Sequence, residues 1–438
     1  MTLRKFKSLS ESHSQQLAAF PYRTVARNVD TSLLAAKVVN SLFLNTSYNR
    51  LLLIFMTVSM FYNWYRYPFM INSNTTSPTY VDTPLSLQYG KYIIFSLIFV
   101  LIAINRLTSV QGMVVRHPFV EIIYFYLFLM PIICGLLVKN FNLFKFGFFA
   151  VIPIIFHTYK RTGVNGNALA KFISFCIYLA IIVNFIQVAL AVTIGRMPAL
   201  AYPRTISIRF GSFLDDPNGF GILLALFIGF SIYYYTGIRK IIILAALISS
   251  LLLTQSLTAI FVVPISALIC FMMFIKREFK RFMKLFIVIN FFLAALTVKY
   301  FDIIKFYWSI KQGSVVGHGQ SVATFLSLNF LNLLGVTPVN FLGESGYINM
   351  MGNFGVFYVF VFFLLGIFAI IKIFNLLTNC TVVTNKAILF GILFFLVAVY
   401  IGLINLPFEN IFPINAIFYI LIGIISSGIF NEVIQDKI

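Results

Sequence analysis

After residue 50, long apolar runs alternate with short polar connections along almost the whole chain. The runs begin near Leu51, Pro84, Pro118, Phe141, Leu169, Gly219, Ile241, Leu257, Met283, Gly346, Ala387 and Ile414, about twelve in all. Most approach the roughly 20 apolar residues that a helix needs to cross a bilayer. Those at Phe141 and Ile241 are short. The pattern predicts an all-α polytopic transmembrane helical bundle of about 12 spans, with a larger outer loop between spans 9 and 10. Residues 1–50 lack a compact apolar core followed by a small-residue cleavage site, so they read as a basic cytoplasmic or interfacial arm. Within that arm, 30–45 has the pattern of an amphipathic surface helix. Residues 51–438 form the membrane domain.

Composition agrees. Of 438 residues, 60% are hydrophobic, 17% aromatic and only 10% charged, with a mean hydropathy of +0.96. A soluble domain has no use for so much apolar surface. The net charge of +20 does not indicate nucleic acid, because the bases are spread over short loops rather than gathered in one patch. Their distribution reads instead as topology. With the N-terminus inside, about two thirds of the 32 lysines and arginines fall on the inner side. Both termini are therefore expected in the cytoplasm. The cluster Lys276-Arg277-Glu278-Phe279-Lys280-Arg281 is an inner anchor.

Two outer connections break that bias, 195–218 and 300–345. They carry Arg196, Arg204 and Arg209, and Lys299, Lys305 and Lys311. Outward cations point to an anionic ligand. The cysteines Cys134, Cys176, Cys270 and Cys380 have no paired spacing and read as small buried residues. No internal repeat is visible, which disfavours an inverted-repeat transporter.

Three polar groups carry candidate chemistry. Arg204 and Arg209 precede Asp215, Asp216 and Asn218, and Asp216-Pro217-Asn218-Gly219 has strong turn chemistry. A guanidinium fork suits phosphate oxygens, although an aspartate paired with Arg209 to shape the turn is an equal reading. His318, in Gly317-His318-Gly319, is sterically open and suited to general-base work or to donating to an anion. Glu344 stands before the apolar run 349–374, where it either caps a helix or pairs with a base. Glu409 is a further outer carboxylate. Glu121, nominally within a span, should face the bundle interior, and His13, His117 and His157 look structural. No phosphate-binding GxxxxGK[ST] loop and no DxD pair is present, so nucleotide and metal–sugar-nucleotide sites are not indicated.

Four segments resemble the bacterial O-antigen polymerase and O-antigen ligase superfamily. Arg209 to Asn218 is similar to its arginine-to-DPN motif. Leu252-Leu253-Thr254-Gln255-Ser256-Leu257-Thr258-Ala259 resembles its SRT span start. Gly317-His318 followed by Leu334-Gly335 resembles a stretch of its large periplasmic loop. Glu344-Ser345-Gly346-Tyr347 through Gly355 resembles the entry to the next span. The match covers roughly 165–370. It departs at Leu257, where the family often has arginine.

The resemblance implies a metal-independent, cofactor-free glycosyltransferase of the bacterial inner membrane. Its donor is an undecaprenyl-diphosphate-linked oligosaccharide. Its surroundings are membrane lipids, and a chain-length regulator is the implied partner. By the same resemblance Arg209 and Arg204 bind the donor diphosphate, His318 activates the acceptor hydroxyl or binds phosphate, and Glu344 orients His318 or contacts sugar. Asp216, Asn218 and Glu409 join the substrate-binding set. A polymerase would extend another lipid-linked repeat; a ligase would transfer to lipid A-core. A lipid-linked oligosaccharide flippase is the alternative from a different class.

Overall fold

The computed structural model describes residues 48–65, 84–108, 118–158, 166–194, 202–203, 208–214, 216–274, 316, 319–337, 339, 341, 345–408 and 411–426. All belong to the unit Tyr48–Ile438. The expected surface helix at 30–45, the span from Met283, and Arg204, Asp215, His318, Glu344 and Glu409 lie outside the described residues.

The principal helices are α1 (Tyr48–Phe61), α2 (Leu85–Thr108), α3 (Pro118–Leu137), α4 (Val151–Thr158), α5 (Gly166–Ile194) and α6 (Pro217–Tyr234). They continue with α7 (Gly237–Leu253), α8 (Leu257–Phe274), α9 (Gly346–Phe354), α10 (Val356–Asn379), α11 (Val383–Gly402) and α12 (Ile414–Ser426). Strands among the described residues are the two-residue β1 (Tyr202–Pro203) and β2 (Ile208–Arg209), antiparallel with Tyr202 opposite Arg209. By length and composition, α3, α5, α6, α10 and α11 can cross a membrane; α1, α2, α8, α12 and the segment Phe141–His157 are shorter but apolar.

Burial separates the bundle's centre from its rim. The apolar windows of α6 and α11 are 72% and 83% buried, against 28–39% for α3, α5 and α10. The central pair packs closely because each helix offers a glycine. A side chain at Gly229 would strike Phe394, and one at Gly391 would meet Phe230 and the Leu226 carbonyl. Small residues let membrane helices approach to backbone contact. The rim helix α10 has two apolar faces. Tyr358, Phe362, Leu365, Ala369 and Ile373 are buried at helical spacing, while Phe357, Phe360, Phe363, Ile367 and Ile371 are exposed. An outward face this apolar suits lipid, not water.

Interior polar contacts repair the backbone at one helix and place a carboxylate beside a histidine at another. Pro131 interrupts α3 and frees the carbonyl four residues earlier; the Tyr358 hydroxyl donates to that Leu127 oxygen at 3.3 Å. Glu121 turns inward as expected, its Oε1 lying 3.5 Å from Nδ1 of the buried His157. His157 Nε2 is 2.8 Å from Ser426 Oγ. All four cysteines are buried thiols.

Two expectations change. The apolar run after Glu344 reads in sequence as one span from Gly346, yet it is two helices. The chain breaks at Gly355, whose φ of +86° belongs to neither α9 nor α10. The short run at Phe141 is not one helix either. It climbs through single turns at Phe141–Leu143, Phe144–Gly147 and Phe148–Ala150 before α4. Aromatic crowding accompanies this, with Phe149 touching Tyr92, Phe95 and Phe412.

Candidate functional site

The N-terminal end of α6 gathers the polar segments. Asp216-Pro217-Asn218-Gly219 reads in sequence as a turn, but it starts the helix. Asp216 is the N-cap: its extended backbone lets Oδ1 accept from the Asn218 amide at 3.0 Å and Oδ2 from the Gly219 amide at 2.9 Å. Pro217 follows at the first helical position, where its missing N–H costs nothing. The aspartate thus spends both oxygens on the helix. Asp216→Ala should lower stability by about 1 kcal/mol, read as a shift of the thermal transition in detergent, and Asp216→Asn should recover most of it.

Arg209 ends β2 and is only 3% exposed. Its Nε donates to the Thr254 carbonyl at 2.9 Å and its Nη2 to Asn218 Oδ1 at 2.7 Å. The amide of Phe210 donates to the Leu253 carbonyl at 3.2 Å. These three bonds tie the β2 segment to both the α6 start and the α7–α8 turn. Helix ends leave carbonyls without intrahelical partners, and a planar guanidinium can reach two acceptors at once.

The α7–α8 turn is Thr254-Gln255-Ser256. Gln255 adopts φ +48°. Thr254 Oγ1 accepts from the Ser256 amide at 3.1 Å, and Ser256 Oγ accepts from the Ala259 amide at 3.3 Å, capping α8. Leu257 opens α8 and is 41% exposed. Next to this turn, Asn405 Nδ2 donates to Thr258 Oγ1 and joins α8 to the end of α11.

The same end of α11 receives α9. The Gly346 amide donates to the Leu403 carbonyl at 2.8 Å, and the Tyr347 hydroxyl donates to the Tyr400 carbonyl at 2.6 Å. A free N-terminus and a free C-terminus satisfy one another. At the far end of α9, Leu334-Gly335 packs on the Phe354-Gly355 break so tightly that a side chain on either glycine would meet backbone. Asn353 exchanges hydrogen bonds with the Phe341 backbone at 2.9 and 2.7 Å, fixing the chain shortly before Glu344.

Of the residues singled out in sequence, Arg209, Asp216 and Asn218 meet directly. Leu252–Ala259 joins them directly at Thr254, and Ser345–Gly346 is linked to that segment through the end of α11. Gln187 was not singled out, and it clamps this loop. Its Oε1 accepts from the Ser212 amide at 3.1 Å and its Nε2 donates to the Ser212 carbonyl at 2.9 Å, holding Ser212 at φ +53°. Lys91 was also missed. It is 7% exposed with Nζ 4.7 Å from the centre of the Phe412 ring. The Lys145 carbonyl accepts from Asn415 Nδ2 at 3.3 Å, beside the start of α12. A lysine among aromatics is a weak signal in sequence but not in space.

The fold and this end together define a polytopic helical membrane protein with a buried arginine bracing the junction of three helix termini. No family model, curated protein or solved structure matches the chain.

Proposed function

We propose that the chain is a surface-polysaccharide polymerase. In this reading it joins undecaprenyl-diphosphate-linked oligosaccharide repeats at the periplasmic face of a bacterial inner membrane, with both termini in the cytoplasm. The observation that carries the proposal is the convergence of separate segments. Arg209–Asn218, Leu252–Ala259 and the start of α9 are far apart in sequence but bonded into one end of the bundle. These are segments on which the superfamily resemblance rests.

In this reading Arg209 braces the platform and, with Arg204, supplies the positive charge that receives the donor diphosphate and stabilises the leaving group. The acceptor hydroxyl oxygen attacks the anomeric carbon of the donor. The bond from that carbon to the diphosphate oxygen breaks, and the diphosphate leaves with the electron pair. His318 takes the hydroxyl proton, and Glu344 orients His318. Asn218 and Glu409 contact the substrate, and Asp216 contributes by fixing the helix end that presents Asn218. Bound membrane lipids and a chain-length regulator complete the expected surroundings.

Gel banding of surface glycan in a strain lacking the protein tests the reading. A lost polymerase leaves core carrying one repeat unit. Core with no repeat unit would instead identify a ligase, or a flippase that fails to deliver the donor.

A further inference from the structure

The opposite end of α6 holds a second polar cluster that the proposed glycan chemistry does not use. Here Tyr235 and Thr236 turn the chain from α6 into α7. Beside the turn is an open cavity of about 390 Å³, bounded by Tyr233, Tyr235, Thr236, Lys240, Ile232 and Phe271. That volume lies within the range of small-ligand sites, about 300–1,000 Å³.

One cation lines it and two more lie against tyrosines that bound it. Lys240 lines the wall. Lys386, on the first turn of α11, places Nζ 5.5 Å from the Tyr233 ring centre. Arg239 lies 5.0 Å over the Tyr235 ring, and its Nε donates to the Tyr178 hydroxyl at 2.9 Å. The Tyr235 hydroxyl is 2.7 Å from Ser174 Oγ. Burial pushes the Tyr235 phenol up to about 12, so it stays a neutral hydroxyl beside the cations.

No carboxylate among the described residues balances this charge. Those residues include two, Glu121 and Asp216. Glu121 lies beside His157. Asp216 caps the other end of α6, about 27 Å away at 1.5 Å per residue. Because α6 is long enough to cross the bilayer, its end falls at the membrane–water interface. Tyrosine is enriched there, and lysine and arginine reach from apolar stems to anionic headgroups.

We infer that this cavity binds the phosphodiester headgroup of an anionic phospholipid. Arg239, Lys240 and Lys386 receive the phosphate, the tyrosine rings flank the glycerol, and Ile232 and Phe271 form an apolar floor for the first acyl carbons. A soluble phosphate ester offers the same charge but has no use for that floor, so the lipid is the better occupant.

Native mass spectrometry of the full-length protein in detergent, titrated with phosphatidylglycerol or phosphatidylcholine, tests this. Phosphatidylglycerol should be retained in preference to phosphatidylcholine. Removing two cations in Lys240→Gln/Lys386→Gln should weaken it about 25-fold, at roughly fivefold per basic residue. Lys240→Arg/Lys386→Arg should bind within about twofold of the parent, since phosphate attraction needs the charge rather than the amine. Lys145→Gln, at the opposite end, should change nothing. The inference is overturned if the glutamine pair binds phosphatidylglycerol like the parent, if both lipids bind alike, or if Lys145→Gln weakens binding equally. Displacement of the lipid by an equimolar amount of glycerol 3-phosphate would overturn it in favour of a soluble anion.

Discussion

Arg209→Lys should reduce polymer formation by about 5- to 150-fold, the factor that corresponds to leaving one buried acceptor without its donor, about 1–3 kcal/mol. The substitution keeps the charge, so the loss must come from geometry. Arg209 serves the Thr254 carbonyl through Nε and Asn218 Oδ1 through Nη2, from one rigid plane. An ammonium on a flexible stem does not reproduce that fork. One of the two acceptors then stays buried without its donor, at a cost of about 1–3 kcal/mol. The α6 start and the α7–α8 turn lose their common brace. Two measurements separate bracing from general unfolding: the thermal transition in detergent, and surface-glycan ladder length at matched expression. Asn218→Ala removes only one of the two bonds and should give a smaller loss on both. Equal ladders from Arg209→Lys and the parent would remove Arg209 from the account.

Gly355→Ala should be strongly destabilising, by about 2–6 kcal/mol. Two effects add. At φ +86° and ψ 170°, a region that essentially only glycine adopts, an L side chain is strained, at about 1–3 kcal/mol. The new Cβ would also lie 2.5 Å from the Gly335 nitrogen and 2.6 Å from the Leu334 carbonyl carbon. Both are backbone atoms that no rotamer change can move aside, and overpacking of this kind costs about 1–3 kcal/mol. Gly237→Ala is the internal comparison. Its φ is +56°, but nothing lies within 4 Å of the added methyl, so only the strain remains. Unfolding in detergent followed by circular dichroism should rank the two in that order. Similar losses at both positions would mean that the packing of Leu334-Gly335 on α9 contributes nothing.

Much of the helical framework is legible in the sequence, because a helix that crosses a bilayer must be apolar along its length whether it faces lipid or its neighbours. Hydropathy therefore found the runs that become α3, α5, α6 and α10. It could not see Gly355, since the apolar pattern continues across the break and the cause is Gly335 arriving from a separate loop. It joined the turns of 141–158 for the same reason: composition is uniform there while backbone geometry is not. At the site, Arg209 and Asn218 were visible as costly polar residues beside a span. Asp-Pro is also the signature of a helix N-cap, and because turns and N-caps favour the same residues the sequence does not separate them. Gln187 and Lys91 were not visible. Their partners, Ser212 and Phe412, come close only once the helices have packed.

The central claim is that this chain lengthens a glycan held on a lipid diphosphate. The most direct measurement supplies the purified full-length protein with a purified undecaprenyl-diphosphate-linked repeat unit, in detergent with a chelator and without nucleotide. The account predicts a ladder of two, three and more repeats, and its loss with Arg209→Lys. A well-folded protein that leaves the single repeat unit unextended, with the unit shown to be competent as donor, would contradict it.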